Sequence, residues 1–162
     1  DTPKLVRDAQ LEMINVLAKA ETREDVPSLL PEAIRVLRQY VDRLKTRRVD
    51  MEELVITTRL SKDPEEYDRS LLQGIAARQL VREGMRIHAG ESVQYLIRDA
   101  YNSNPNLRVI PFLLLNSRMC YDLQKYLEML INAAATVLDP FGLTEEEIQY
   151  AVKGQRQMLL SE

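Results

Sequence analysis

The residues best suited to chemistry lie between positions 54 and 97, in a polar loop that carries Arg59, Lys62, Tyr67 and Arg69 with serine and threonine hydroxyls among them. Cations and hydroxyls at such spacing contact phosphate without breaking bonds. Groups for catalysis are sparse. The one histidine, His88, sits beside Gly90 with no cysteine or histidine close in sequence, a pattern of a surface residue rather than a metal ligand or base. Ser103 and Ser117 have no histidine nearby to activate them, and no glycine-rich phosphate loop is present. The carboxylate runs Glu65-Glu66 and Glu145-Glu146-Glu147 suit the first turns of helices, where the helix dipole favours negative charge, better than a magnesium site.

The elements around that loop read as mostly α with a small β element, an α+β class. Thr2-Pro3 opens a helix over 3–20 with Leu5, Val6, Ala9, Met13, Val16 and Leu17 on one face. Pro31 is placed to start a second helix, antiparallel to the first, with Ile34, Leu37, Val41 and Leu44 as its stripe and Lys45, Arg47 and Arg48 at its C-terminal end. Leu54 to Thr57 is a strand, ended by Asp63-Pro64. Residues 71–83 form a helix stopped by Gly84, and SVQYLI is a strand that pairs with MRI or LVI. The tract DAYNSNPNLR is a hairpin loop leading to a buried VIPFLLLN run. A helix over 122–138 has Leu123, Leu127, Leu130, Ile131, Ala134 and Leu138 inside, and Thr144 with Glu147 is a capping box for a final helix.

The chain of 162 residues is expected to be one compact unit, with a helical pair at 1–50 leading into a domain at 51–162. A formal charge of −3 with 29% charged residues announces no basic nucleic-acid binder, so any such role rests on a local patch. The lone Cys120 excludes an internal disulfide and reads as a small buried hydrophobe, as in a reducing, intracellular compartment. No apolar run nears the ~20 residues of a membrane span, and no membrane partner is expected.

Four segments in order resemble the C-terminal end of family B DNA polymerases, where the palm runs into the thumb. Asp1 with Gln10 is similar to the end of the family's Arg-Arg-Asp segment and the following helix. VDMEELVITTRLSKDPEEY is similar to its Asp-x-x-x-Leu-Val-Ile and Leu-Thr-Arg-Pro-Leu-x-x-Tyr run, with Ser61, Lys62 and Tyr67 at the Thr, Arg and Tyr positions. AARQLVREGMRIHAGESVQYLI keeps register through Leu80, Gly84, Gly90 and Tyr95, and CYDLQKYLEMLINAAATVLDPFG does so through Tyr121, Asp122, Tyr126, Glu128, Phe141 and Gly142.

The resemblance implies a helical thumb domain that grips the backbone of double-stranded primer-template DNA through Ser61, Lys62, Tyr67, Arg69, Gln73 and Arg78. Asp63 stands where the family usually has Pro, Asp68 where it often has Lys and Gln73 where His is common, which thins the cationic contacts and leaves Arg69 and Arg78 to compensate. The other reading of Tyr67 and Lys62 is that the ring packs on the helix and the amine is solvated. The resemblance further implies that the metal-binding aspartates, and hence magnesium, belong to a larger polymerase chain with palm and fingers, and that this chain holds no cofactor and no catalytic residue. A split archaeal polymerase's small subunit, or a fragment beginning at Asp1, would fit, in a nucleoid-associated setting. The absence of C-terminal cysteine clusters points to the archaeal branch. Gln157 to Leu160 resembles the front of a sliding-clamp-binding box, although the two aromatics such a box needs do not follow. A plain helix end is the other reading. The alternative function is an assembly or regulatory subunit with little DNA contact.

Overall fold

A computed structural model describes residues 1–160, with side chains through residue 153. The chain packs as two units, Asp1–Lys4 with Asp50–Lys125 and Leu5–Val49 with Tyr126–Glu162. This differs from the expected division at residue 50 into a helical pair and a single following domain. The C-terminal helices pack with the first pair, so each unit has its own core.

In the helical unit, α1 (Lys4–Leu17) buries all six residues of its predicted stripe. It stops short of Ala20 because residues 18–20 close in turns. Helix α2 (Val26–Lys45) starts five residues before Pro31, which lies inside it. A capping box between Thr22 and Asp25 and a proline in the first turn at Pro27 start the helix early. Pro31 is then tolerated at the loss of one backbone bond near the helix start. Helices α4 (Leu123–Leu138) and α5 (Glu145–Leu160) complete this unit. Gly142 turns the chain between them in the left-handed region, at φ 85°, and the Thr144 hydroxyl accepts from the Glu147 N–H at 3.2 Å. Two long-range bonds lace this core: the Gln10 amide donates to the Ala133 carbonyl at 3.1 Å, and the Tyr40 hydroxyl donates to Glu12 Oε1 at 2.9 Å.

The mixed unit holds a three-stranded antiparallel sheet, β1 (Ile56–Arg59), β2 (Ser92–Ile97) and β3 (Val109–Pro111), with β2 in the centre. Ile56 faces Tyr95 across the first pair, and Ile97 faces Val109 across the second. SVQYLI therefore pairs with the strand at 56–59 rather than with MRI. Helix α3 (Leu72–Arg82) packs on β2 and β3 and ends at Gly84, whose φ is 95°. Leu54 is fully buried but not in the strand. Asp50 and Glu53 form a capping box that winds Met51–Leu54 into a 3-10 turn, and pairing begins two residues later.

Two burial expectations outside the helices are corrected. Cys120 is exposed, because it lies in the irregular stretch before α4 while its neighbour Tyr121 takes the inward position. The VIPFLLLN run is buried only through Pro111. After it the chain turns at Phe112–Leu114, which leaves Leu113 71% exposed. Among the described residues no helix is long and apolar enough to cross a membrane.

Candidate nucleic-acid interface

The loop leaving β1 is held by its ends. Leu60 exchanges backbone bonds with the 88–91 turn, donating to the Glu91 carbonyl at 2.8 Å and accepting from the Gly90 N–H at 2.7 Å. Arg59 Nε donates to the Gly90 carbonyl at 3.1 Å, and Asp63 Oδ1 accepts from the Ala89 N–H at 2.8 Å. Asp63 also caps the 3-10 turn Pro64–Glu66, whose Glu66 carboxylate accepts from the Asp63 N–H at 3.1 Å. His88 is exposed in this turn, its Nδ1 3.9 Å from Asp63 Oδ1.

Tyr67 is the pillar of the loop. Its ring is only 7% exposed, and its hydroxyl accepts from the Ser61 N–H at 2.8 Å with Ser61 Oγ at 3.3 Å. The bond with the Ser61 side chain, assisted by backbone donors and the Lys62 charge, holds the phenol below the usual tyrosine range. Behind Tyr67 the helix offers Gly74, where a Cβ would come within 2.5 Å of Tyr67 Cβ. Glycine is required there by close approach, not by backbone angle. Arg78, one turn on, donates from Nη1 to the carbonyls of Pro64 at 3.0 Å and Tyr67 at 3.4 Å.

The structure thus brings Ser61, Lys62 and Tyr67 together, with Lys62 Nζ 5.5 Å from the Tyr67 ring centroid. Lys62 and Arg69 are exposed. Tyr67 is a support whose ring is covered, and Arg78 is half-buried and tied to the loop's carbonyls. Gln73 is half-buried on the first turn of α3 and shares no hydrogen bond with the others among the described residues. Asp68 Oδ1 accepts from the Ser70 N–H at 2.8 Å and its hydroxyl at 2.7 Å, and the backbone bond foremost keeps this carboxyl below the usual range. The carboxylates at 63 and 68 therefore organise the loop's own backbone. Gln157 and Leu160 lie outside the residues whose side chains are described.

Sequence reasoning missed Asp63 as a latch, Gly74 as a contact, and Arg82 with Asn106. A lone glycine inside a helical pattern and the Asp63–Glu66 spacing were the available signals. Nothing local marks Asn106. Its Oδ1 accepts from Arg82 Nη2 at 3.0 Å and its carbonyl from Gln79 Nε2 at 3.1 Å, which pins the β2–β3 loop to α3. Among the described residues no three His, Cys, Asp or Glu side chains are grouped to hold a metal ion.

Comparison with known proteins supplies the lineage. The family described as DNA polymerase family B matches residues 1–141. The chain belongs to that family. DNA polymerase 3 of Saccharolobus shibatae is 28% identical over 118 residues, 73% of this chain and 15% of the relative. DNA polymerase 1 of Aeropyrum pernix is 28% identical over 150 residues, 91% of this chain and 15% of the relative. The solved family B DNA polymerase of the hyperthermophilic archaeon Pyrobaculum calidifontis superposes with a TM-score of 0.72 at 24% identity, over 89% of this chain and 18% of that one. At that identity the likeness is one of fold: a mostly helical chain with a small antiparallel sheet. This family B chain spans about 15% of the length of those two relatives.

Proposed function

We propose that this chain acts as the thumb of a family B DNA polymerase, gripping the backbone of the primer-template duplex while a larger chain or region with palm, fingers and magnesium performs nucleotidyl transfer. The observation that carries the reading is the braced loop: Lys62 and Arg69 stand exposed on a backbone fixed by Tyr67, Asp63 and Arg78. Cations on a fixed backbone bind phosphate with less ordering cost than cations on a mobile loop, and without reading sequence. In this reading the chain supplies positioning and processivity and no catalytic residue, inside the cell where replication occurs.

The test is duplex binding against salt concentration. Each lost phosphate contact lowers the log–log slope by about 0.9. Lys62→Ala and Arg69→Ala should each weaken binding and flatten that slope by about this amount. Unchanged affinity and slope in both variants would refute the grip.

A second reading, an assembly subunit with little DNA contact of its own, is favoured by the outer face of α1, where Leu11 is 57% and Ile14 48% exposed. Such a face fits docking onto a larger polymerase chain or, more remotely, a sliding clamp. Omitting the chain from a reconstituted polymerase separates the two: a grip subunit lowers processivity, whereas an assembly subunit abolishes primer extension.

A further inference from the structure

In the helical unit a groove of about 450 Å³ lies between α2 and α5. Its α2 wall is formed by Pro27, Leu30, Pro31 and Ile34, which repeat as i, i+3, i+4 and i+7 and so share one stripe. That stripe is offset from the core face, because Pro27 and Pro31 are exposed while Ala33 and Leu37 are fully buried. The α5 wall is formed by Ile148 and Ala151, and Tyr150 stands at the lip, 77% exposed. An apolar stripe and a tyrosine are thus left at the surface beside a packed core.

The walls limit what can fill the groove. Both are helices whose backbone groups bond within the helix, apart from the Pro27 carbonyl opposite Pro31, so an extended strand would find no ladder to join. A helix brings its own backbone bonds and needs only side-chain contact. The charges select further. On α2, Arg38 lines the groove and Arg35, four residues after Pro31, is exposed; Asp42, a turn further on, does not line it. On α5, Glu147 lines the groove and Glu146 is exposed beside it. One side is therefore basic and the other acidic. The acidic side repels phosphate, and a small ligand needs polar groups that converge inside a cavity rather than divide between its sides.

We infer that this groove docks an amphipathic helix of a partner protein, its apolar stripe inserted between α2 and α5, its carboxylates along Arg35 and Arg38 and its cations along Glu146 and Glu147. The surface is separate from the outer face of α1 and does not rest on the duplex-grip reading. Exchanging the two charged flanks of such a helix is equivalent to reversing its direction. The charges therefore set its polarity in the groove as well as its affinity.

The experiment presents the full chain with synthetic helical peptides that share a leucine stripe at i, i+4 and i+7 and carry mixed, all-glutamate or all-lysine flanks. The mixed peptide should bind saturably in fluorescence anisotropy, several-fold more tightly than either uniform one. Pro31→Arg and Ala151→Arg place a long charged side chain in the groove and should each weaken binding about tenfold or more. Pro31 is exposed and Ala151 half-buried, and removing a proline from a helix interior costs the helix nothing, so an unchanged melting curve is expected for the first variant. Arg35→Glu leaves the walls intact and should lower affinity for the mixed peptide while raising it for the all-lysine one. A nitroxide at the peptide N-terminus should broaden amides near Leu30 or near Arg38, and at the opposite end once the flanks are exchanged. No saturable binding, or binding that survives both groove variants, overturns the site, and equal affinity for the three peptides overturns the charge pattern. Displacement by duplex DNA would assign the face to nucleic acid, and self-association that Pro31→Arg abolishes would assign it to a second copy; either result overturns the partner helix.

Discussion

Replacing Gly74 by alanine sets two known effects against each other. In a helix interior alanine is more favourable than glycine by about 1 kcal/mol, which is an upper bound for Gly74, the third residue of α3. Here, however, the new methyl would lie 2.5 Å from Tyr67 Cβ, 3.0 Å from Tyr67 Cγ and 3.2 Å from Arg78 Nη1. The closest atom is bonded directly to the backbone, so rotation of the ring cannot relieve the clash, and the 61–70 loop must move. Overpacking of this kind costs about 1–3 kcal/mol, and displacing the Tyr67 hydroxyl from the Ser61 N–H adds about 1 kcal/mol. Gly74→Ala should therefore destabilise the mixed unit by about 1–3 kcal/mol net, lowering the native-state hydrogen-exchange protection of α3 and of the Ser61 amide. Tyr67→Ala removes Cγ but keeps Cβ, so Gly74→Ala should still destabilise in that background. Tyr67→Gly removes both atoms, and there the same change should reverse sign and stabilise by up to about 1 kcal/mol. A Gly74→Ala chain that is more stable than the parent in the unaltered background would refute the close approach and the pillar role of Tyr67.

Three further outcomes follow from other groups. Tyr40 has its phenol pushed well above the usual range, first by burial and then by its bond to Glu12, whereas Tyr67 is held below it. A raised folded-state value contributes stability that is complete below the unfolded value near 10 and is lost as pH rises through the folded one. Tyrosinate absorbance should show Tyr67 ionising before Tyr40, and Tyr40→Phe should flatten the alkaline loss of stability. For Tyr67 the sign is opposite, since its depressed value contributes stability present above the unfolded value and lost as pH falls through the folded one. Asp122 caps α4 through the Lys125 N–H at 3.0 Å and holds the Ala100 N–H at 2.8 Å, so Asp122→Ala should cost about 2 kcal/mol in chemical denaturation, and Asp122→Asn much less. Asp63→Ala should leave the Ala89 amide unprotected in hydrogen exchange and weaken duplex binding by loosening the base of the Lys62 loop, with the helical unit unaffected.

How far the sequence foretold all this depends on the range of the interaction. In α1 the apolar spacing placed every inward residue, because a 3.6-residue period decides which face meets the core; in α4 it placed Leu130, Ile131, Ala134 and Leu138, while Leu123 and Leu127 are half-buried and the fully buried Tyr126 takes an inward position that apolar counting passed over. Capping chemistry was legible at Thr144 and overlooked at Thr22 and Asp50, where it moved a helix start before Pro31 and a strand start past Leu54. The pairing of the N-terminal helices with the C-terminal ones was not legible, since bonds such as Gln10 to Ala133 join residues 123 positions apart and leave no local trace. The candidate site divides in the same way. Lys62 and Arg69 followed from residue type, but the roles of Tyr67 and Arg78 needed the fold, because only packing shows which polar groups are already engaged.

Charge shows why that matters most. Counting residues gives a slightly acidic chain, and the acidic substitutions at 63 and 68 count against a DNA-facing loop. In the structure the same carboxylates bond the Ala89 and Ser70 backbone amides and so set the loop's shape. Arg78 and Arg82 are tied to neutral oxygens, which fixes their positions, while the Asp68 charge acts on Arg78. An acidic residue that organises backbone does not simply count against a DNA-facing loop, because the same bonds hold the segment on which Lys62 and Arg69 stand exposed. Surface electrostatics over distances shorter than the ~8 Å screening length follow from such local placement and not from net charge.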